Sequence, residues 1–91
     1  MSLYQQKIQV LSILSDNLAT RHPQLVPTET IAGKMDIQLS QLHQVLKNMN
    51  GMGIIQTDVE LKYNLITREG LNYLGEQHMY IPTILPKSTL K

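Results

Sequence analysis

The sequence predicts a small α+β domain, mainly α, built as three helices, a β-hairpin and a fourth helix. Three observations carry this. Between residues 39 and 50, Leu42, Val45, Leu46 and Met49 recur at spacings of three and four, which marks a helix with one buried stripe. Gly51 and Gly53 follow directly, where a helix is expected to stop. Two segments rich in β-branched and aromatic residues come next, 54–59 and 61–66, and Thr67 then stands where a helix cap belongs.

The first helix is expected over residues 3–20. Leu3, Ile8, Leu11, Leu14 and Leu18 keep helical spacing, with Gln5, Gln6, Lys7 and Gln9 on the wet side. Val10 and Ile13 widen the apolar face, so this helix is covered on more than one side. Pro23 and Pro27 make the following stretch a loop and hold His22 and Val26 extended. Thr28 is the expected N-cap of a second helix over 29–35, with Ile31, Ala32 and Met35 facing inward. Gly33 inside that helix costs ~1 kcal/mol relative to alanine, which implies close contact with another helix. Asp36-Ile37-Gln38 turns the chain, Ile37 plugging the corner from inside. The hairpin turn near Val59 and Glu60 contains no glycine or asparagine, so its type is open. The fourth helix is expected over 68–77, with Leu71, Tyr73 and Leu74 apolar and Glu69 favourably placed near its N-terminus. Residues 1–78 form the expected domain. Residues 79–91 hold Pro82 and Pro86 and form a tail that is apolar for a chain end, with Met79, Tyr80, Ile81, Ile84 and Leu85.

Composition bounds the function. Ninety-one residues with 42% hydrophobic and 16% charged content make one ordinary globular domain. With no cysteine, neither a disulfide framework nor a thiolate metal site is available. MSLYQQKIQV does not read as a signal peptide, and no stretch approaches the roughly 18 apolar residues of a membrane span. A cytoplasmic protein without membrane association is expected. Catalysis would require convergent groups, yet His22, His43 and His78 are scattered and none sits beside an acid at a telling spacing. No metal-ligand spacing and no phosphate-cradling loop is present, so no enzyme activity, cofactor or metal is expected. The formal net charge of +1 is modest for a nucleic-acid binder, so any attraction to phosphates depends on where the cations sit.

The run from residue 29 to 67 resembles the winged helix-turn-helix superfamily, in particular small microbial regulators of the MarR and ArsR type. The matching residues are Ile31-Ala32, Met35-Asp36-Ile37, Leu42, Val45-Leu46, Met49, Gly53-Ile54-Ile55 and Leu65-Ile66-Thr67-Arg68-Glu69-Gly70. The resemblance covers about residues 3–77 and implies a winged-helix fold whose third helix enters the DNA major groove. It then implies that Ser40, Gln41, His43, Gln44, Lys47 and Asn48 meet DNA. Gln41 and Gln44 suit bidentate pairing with adenine, Ser40 and His43 suit base or phosphate, and Lys47 suits phosphate. Lys34, Lys62 and Arg68 are candidate backbone contacts. The family's regulators commonly dimerise through terminal elements, which makes the tail a candidate dimerisation arm of a homodimer.

Two features depart from the family pattern. Gln44 stands where those regulators often carry arginine, and the wing holds Asp58 and Glu60 where a basic tip is usual. Double-stranded DNA binding by a small transcriptional regulator is therefore the first expectation. The alternative is a winged-helix module that binds a protein partner through the polar helix face or the apolar tail. A continuous positive stripe through Lys34, Lys47, Lys62 and Arg68 would favour the first, and a mixed surface the second.

Overall fold

The computed structural model describes residues 2–18 and 25–78. Its element order is α1 (Leu3–Leu18), β1 (Val26–Pro27), α2 (Thr28–Met35), α3 (Leu39–Met52), β2 (Ile55–Thr57), β3 (Tyr63–Ile66) and α4 (Arg68–His78). This is the mainly α, α+β winged helix that the sequence predicts, with one strand added. The expected tail, residues 79–91, and His22 lie outside the described residues.

Helix α1 opens on a reciprocal cap that the sequence reading passed over. Gln5 N–H donates to Ser2 Oγ (3.1 Å) and Ser2 N–H donates to Gln5 Oε1 (3.0 Å). Val10, Leu11 and Leu14 are buried, whereas Leu3 and Leu18 are 46% and 44% exposed, so the buried stripe covers only the middle turns. Helix α2 ends at Asp36, which takes the left-handed conformation (φ 57°) and donates its N–H to the Ala32 carbonyl. Gly53 (φ 78°) does the same for α3, which runs two residues past its expected end.

The strands form one antiparallel sheet in the order β1-β3-β2. Val26 pairs with Asn64, and Ile55, Gln56 and Thr57 pair with Ile66, Leu65 and Asn64. The hairpin strands are shorter than expected because residues 58–61 close the turn, with Leu61 N–H donating to the Asp58 carbonyl (2.9 Å). One core gathers Leu11 and Leu14 of α1, Ile31 of α2, Leu42, Leu46 and Met49 of α3, and Ile54, Ile55, Ile66 and Leu74 from the hairpin and α4.

Two expectations are corrected. Thr28 does not cap α2; Pro27 occupies the cap position without a side-chain bond. The Thr28 hydroxyl is buried and is taken by tertiary partners, donating to the Leu61 carbonyl (2.5 Å) and accepting from Asn64 Nδ2 (2.8 Å). Gly33 makes no close helix contact, since a Cβ built there meets nothing within 4 Å. It lies on the exposed side of α2, opposite Ile31 and Met35.

Asn64, fully buried, ties the wing to the start of α2, because Nδ2 also donates to the Val26 carbonyl (3.1 Å). Asn64→Ala removes two buried donors from partners that have lost their water. It also removes the Oδ1 acceptor, which has no partner of its own. The net cost is expected to be about 2 kcal/mol in urea unfolding.

Candidate nucleic-acid interface

Helix α3 is oriented by its apolar stripe. Leu42, Val45, Leu46 and Met49 are all buried, and at 3.6 residues per turn this fixes the opposite ridge as Ser40, Gln44, Lys47 and Gly51. All four are exposed, and α3 carries no acidic residue.

The other three polar positions lie on the flanks. Gln41 and Asn48 are exposed on the side of α1, where with Gln44 they line a shallow recess of about 400 Å³ shared with Leu3 and Gln6. His43 is half-buried on the opposite flank, in a recess of about 310 Å³ between α3, the start of α2 and the wing. Lys47 and Asn50 border the wing across a hollow shared with Asp58 and Val59.

Of the remaining three candidates, only Lys62 shares a recess with α3, beside Leu39 and His43. Lys34 is exposed in the last turn of α2. Lys62, on the wing, places Nζ 3.0 Å from Glu60 Oε1, so its charge is matched within the wing. Arg68 follows Thr67, whose hydroxyl donates to the Gly53 carbonyl (2.7 Å), so it sits beside the C-terminal end of α3. That is about 20 Å along the helix from Ser40. Glu29 and Glu60 share a recess with Lys62, and Asp58 shares a hollow with Lys47, so the surface around α3 is mixed rather than a positive stripe.

The wing's carboxylates have structural work. Asp58 Oδ1 accepts the N–H groups of Lys62 (2.6 Å) and Tyr63 (2.9 Å). The Tyr63 N–H is the main cause that holds the Asp58 carboxyl below the ordinary aspartate value, with partial desolvation acting the other way and the Lys62 N–H adding to the lowering. A carboxyl whose pKa is depressed on folding stabilises the fold above its unfolded value, near pH 4, and loses that contribution as pH falls through the folded value. Asp58→Ala is therefore expected to lower Tm at pH 7, and by clearly less at pH 3, in paired thermal melts. Between the two carboxylates, Val59 is 100% exposed at the wing tip.

The sequence reading missed the part of α1 that adjoins α3. Leu3 and Gln6 border the Gln41–Gln44–Asn48 flank, and Lys7 Nζ lies 3.6 Å from Met52 Sδ at the far end of the helix. Periodicity within α1 shows which face is apolar but not which helix its polar residues adjoin.

Among solved structures, the chain is similar to a candidate DNA-binding protein from Ralstonia eutropha JMP134, with a TM-score of 0.67 and 17% identity over 80% of this chain and 94% of that one. It is also similar to the apo form of a double variant of Lactococcus lactis ZitR, with a TM-score of 0.66 and 17% identity over 86% of this chain. This chain spans 58% of the length of that ZitR chain. At 17% identity the likeness is one of fold. No protein-family model and no curated protein matches the sequence.

Proposed function

We propose that the chain is a small transcriptional regulator that binds double-stranded DNA sequence-specifically, with α3 in the major groove. The observation that carries the reading is the exposed, acid-free ridge Ser40–Gln44–Lys47, flanked by exposed Gln41 and Asn48. Gln44 and Gln41 are suited to adenine edges, Ser40 and His43 to base or phosphate, and Lys47 and Asn48 to the backbone. Lys34 and Arg68 add phosphate contacts at the periphery. Lys62 adds little, since Glu60 matches its charge. The fold-level likeness to a candidate DNA-binding protein supports the same reading.

A homodimer fits the pseudo-palindromic sites such helices read. Leu3 and Leu18 of α1 and Leu71 of α4 leave apolar surface exposed, and the apolar residues of 79–91 extend the material for an arm. No helix among the described residues is long and apolar enough to cross a membrane. We place the protein in the cytoplasm, without catalytic activity. The second reading, a protein-interaction module, is favoured by two features: the mixed surface around α3, where the first reading expects a continuous positive stripe, and the acid-flanked wing with a fully exposed Val59.

Fluorescence anisotropy with random-sequence duplex DNA separates the two. Binding at low salt that weakens by about 0.9 logarithmic units per decade of salt for each phosphate neutralised supports the first reading. No binding at low salt with the fold intact leaves the second.

A further inference from the structure

We propose that the recess between the wing and the N-terminal part of α3 is a ligand site for a small organic cation with a flat, apolar body. This site belongs to the folded protein alone and does not depend on DNA binding. The recess is half open to solvent and holds about 310 Å³, at the lower end of the range of small-molecule pockets. Pro27, Leu39, Leu61 and Tyr63 are the apolar and aromatic residues that line it, and Glu29 and Glu60 are the acidic ones.

Charge selects the occupant. Glu60 is matched by Lys62 at 3.0 Å, whereas Glu29 has no ion pair among the described residues. The recess therefore keeps one carboxylate in excess. An anionic ligand would meet Glu29 directly and would have to compete with Glu60 for Lys62. A cation meets Glu29 without displacing an ion pair, and Tyr63 lines the same recess, an aromatic whose ring quadrupole attracts positive charge.

The fold also fixes the shape of the recess. Leu61 is held at φ 59°, a left-handed conformation that a bulky residue rarely takes. The buried Thr28 hydroxyl fastens its carbonyl (2.5 Å), and Asn64 in turn holds Thr28. The wall that Leu61 forms is thus set before any ligand arrives. A wall fixed in advance lowers the ordering cost of binding.

The test uses three probes that share an indole ring and differ in the charge of the side chain: tryptamine (cation), tryptophol (neutral) and indole-3-acetate (anion). Each is titrated into the isotope-labelled protein, and amide shifts report both affinity and location. Tryptamine is expected to saturate, moving the amides of Glu29, His43 and Leu61 to Tyr63, and to bind about fivefold tighter than indole-3-acetate. Glu29→Gln, which keeps the side-chain volume, is expected to erase that preference. Lys62→Ala, which frees Glu60, is expected to tighten tryptamine by a few-fold. Shifts that map elsewhere, no saturation by tryptamine, equal or tighter binding of indole-3-acetate, or a preference that survives Glu29→Gln would each overturn the proposal. Lys62→Ala without effect on tryptamine would do the same, and it holds should Glu29→Gln fail to fold.

Discussion

Gly70→Ala is expected to destabilise the domain by about 3 kcal/mol, lowering Tm by about 12–24 °C. Gly70 lies in the first turn of α4, where its N–H donates to the Thr67 hydroxyl (3.0 Å). A Cβ there would overlap the Ile54 carbonyl oxygen and come 2.7 Å from Ile66 Cγ1. Ile54 is backbone that already accepts the Thr67 N–H (3.2 Å), so it cannot swing aside as a side chain would. Relief requires α4 to lift off the α3–β2 junction, which loosens the Thr67 bonds to Ile54 and Gly53. Against a total stability of roughly 5–14 kcal/mol for a chain of this size, that is a large fraction. The same substitution at Gly33 and Gly75 is the control. Both are exposed helical positions where a Cβ meets nothing within 4 Å. There alanine should stabilise by about 0.5–1 kcal/mol through helix propensity alone. Opposite signs in three urea titrations would confirm that contact, not propensity, fixes Gly70; a Gly70→Ala melt within a few degrees of wild type would refute it.

What could be read from the sequence was set by local geometry. The stripe of α3, the Gly53 stop and the Thr67 cap each depend on residues within a few positions of one another, and the structure shows all three. Strand β1 depends on pairing across more than thirty residues, and Val26–Pro27 alone carries no strand signal. Thr28 illustrates the same limit. Its type and position suit an N-cap, but Leu61 and Asn64, brought in by the sheet, take its hydroxyl instead. Strand β3 reverses the order that hydropathy suggests, with Asn64 fully buried and Tyr63 47% exposed, because the clamp on α2 needs a buried donor.

The candidate interface was legible on α3 and not around it. The outward ridge follows from the inward one by helical geometry, so Ser40, Gln44 and Lys47 fall where the sequence placed them. The half-burial of His43 requires knowing that wing residues 60–63 and the start of α2 border the same recess. The pairing of Lys62 with Glu60, two positions away in sequence, needs the turn at Leu61 to bring them to 3.0 Å. The wing's acidity is likewise half structural, since Asp58 closes the turn by accepting two backbone N–H groups.

Lys47→Glu is expected to lower duplex affinity by about 100-fold per protomer near 0.1 M salt. Lys47 is the single lysine or arginine of α3 and stands on its outermost ridge. Losing one phosphate contact costs about tenfold at that salt, from the release of about 0.9 counterion per contact. Reversing the charge repels the same phosphates, and the new carboxylate joins Asp58 at the hollow that both residues line. Lys47→Ala should give the tenfold loss alone and flatten the log–log salt dependence by about one per protomer. Neither change should move Tm by more than a few degrees, because the side chain is exposed and makes no ion pair among the described residues. Gln44→Ala should differ in kind, relaxing the preference among duplex sequences while leaving the salt dependence intact. Arg68→Glu, about 20 Å along α3 from Ser40, should cost far less than Lys47→Glu if the N-terminal turns of the helix enter the groove. Equal losses at both positions would mean diffuse attraction, and wild-type affinity in Lys47→Glu would mean that this face of α3 never meets DNA.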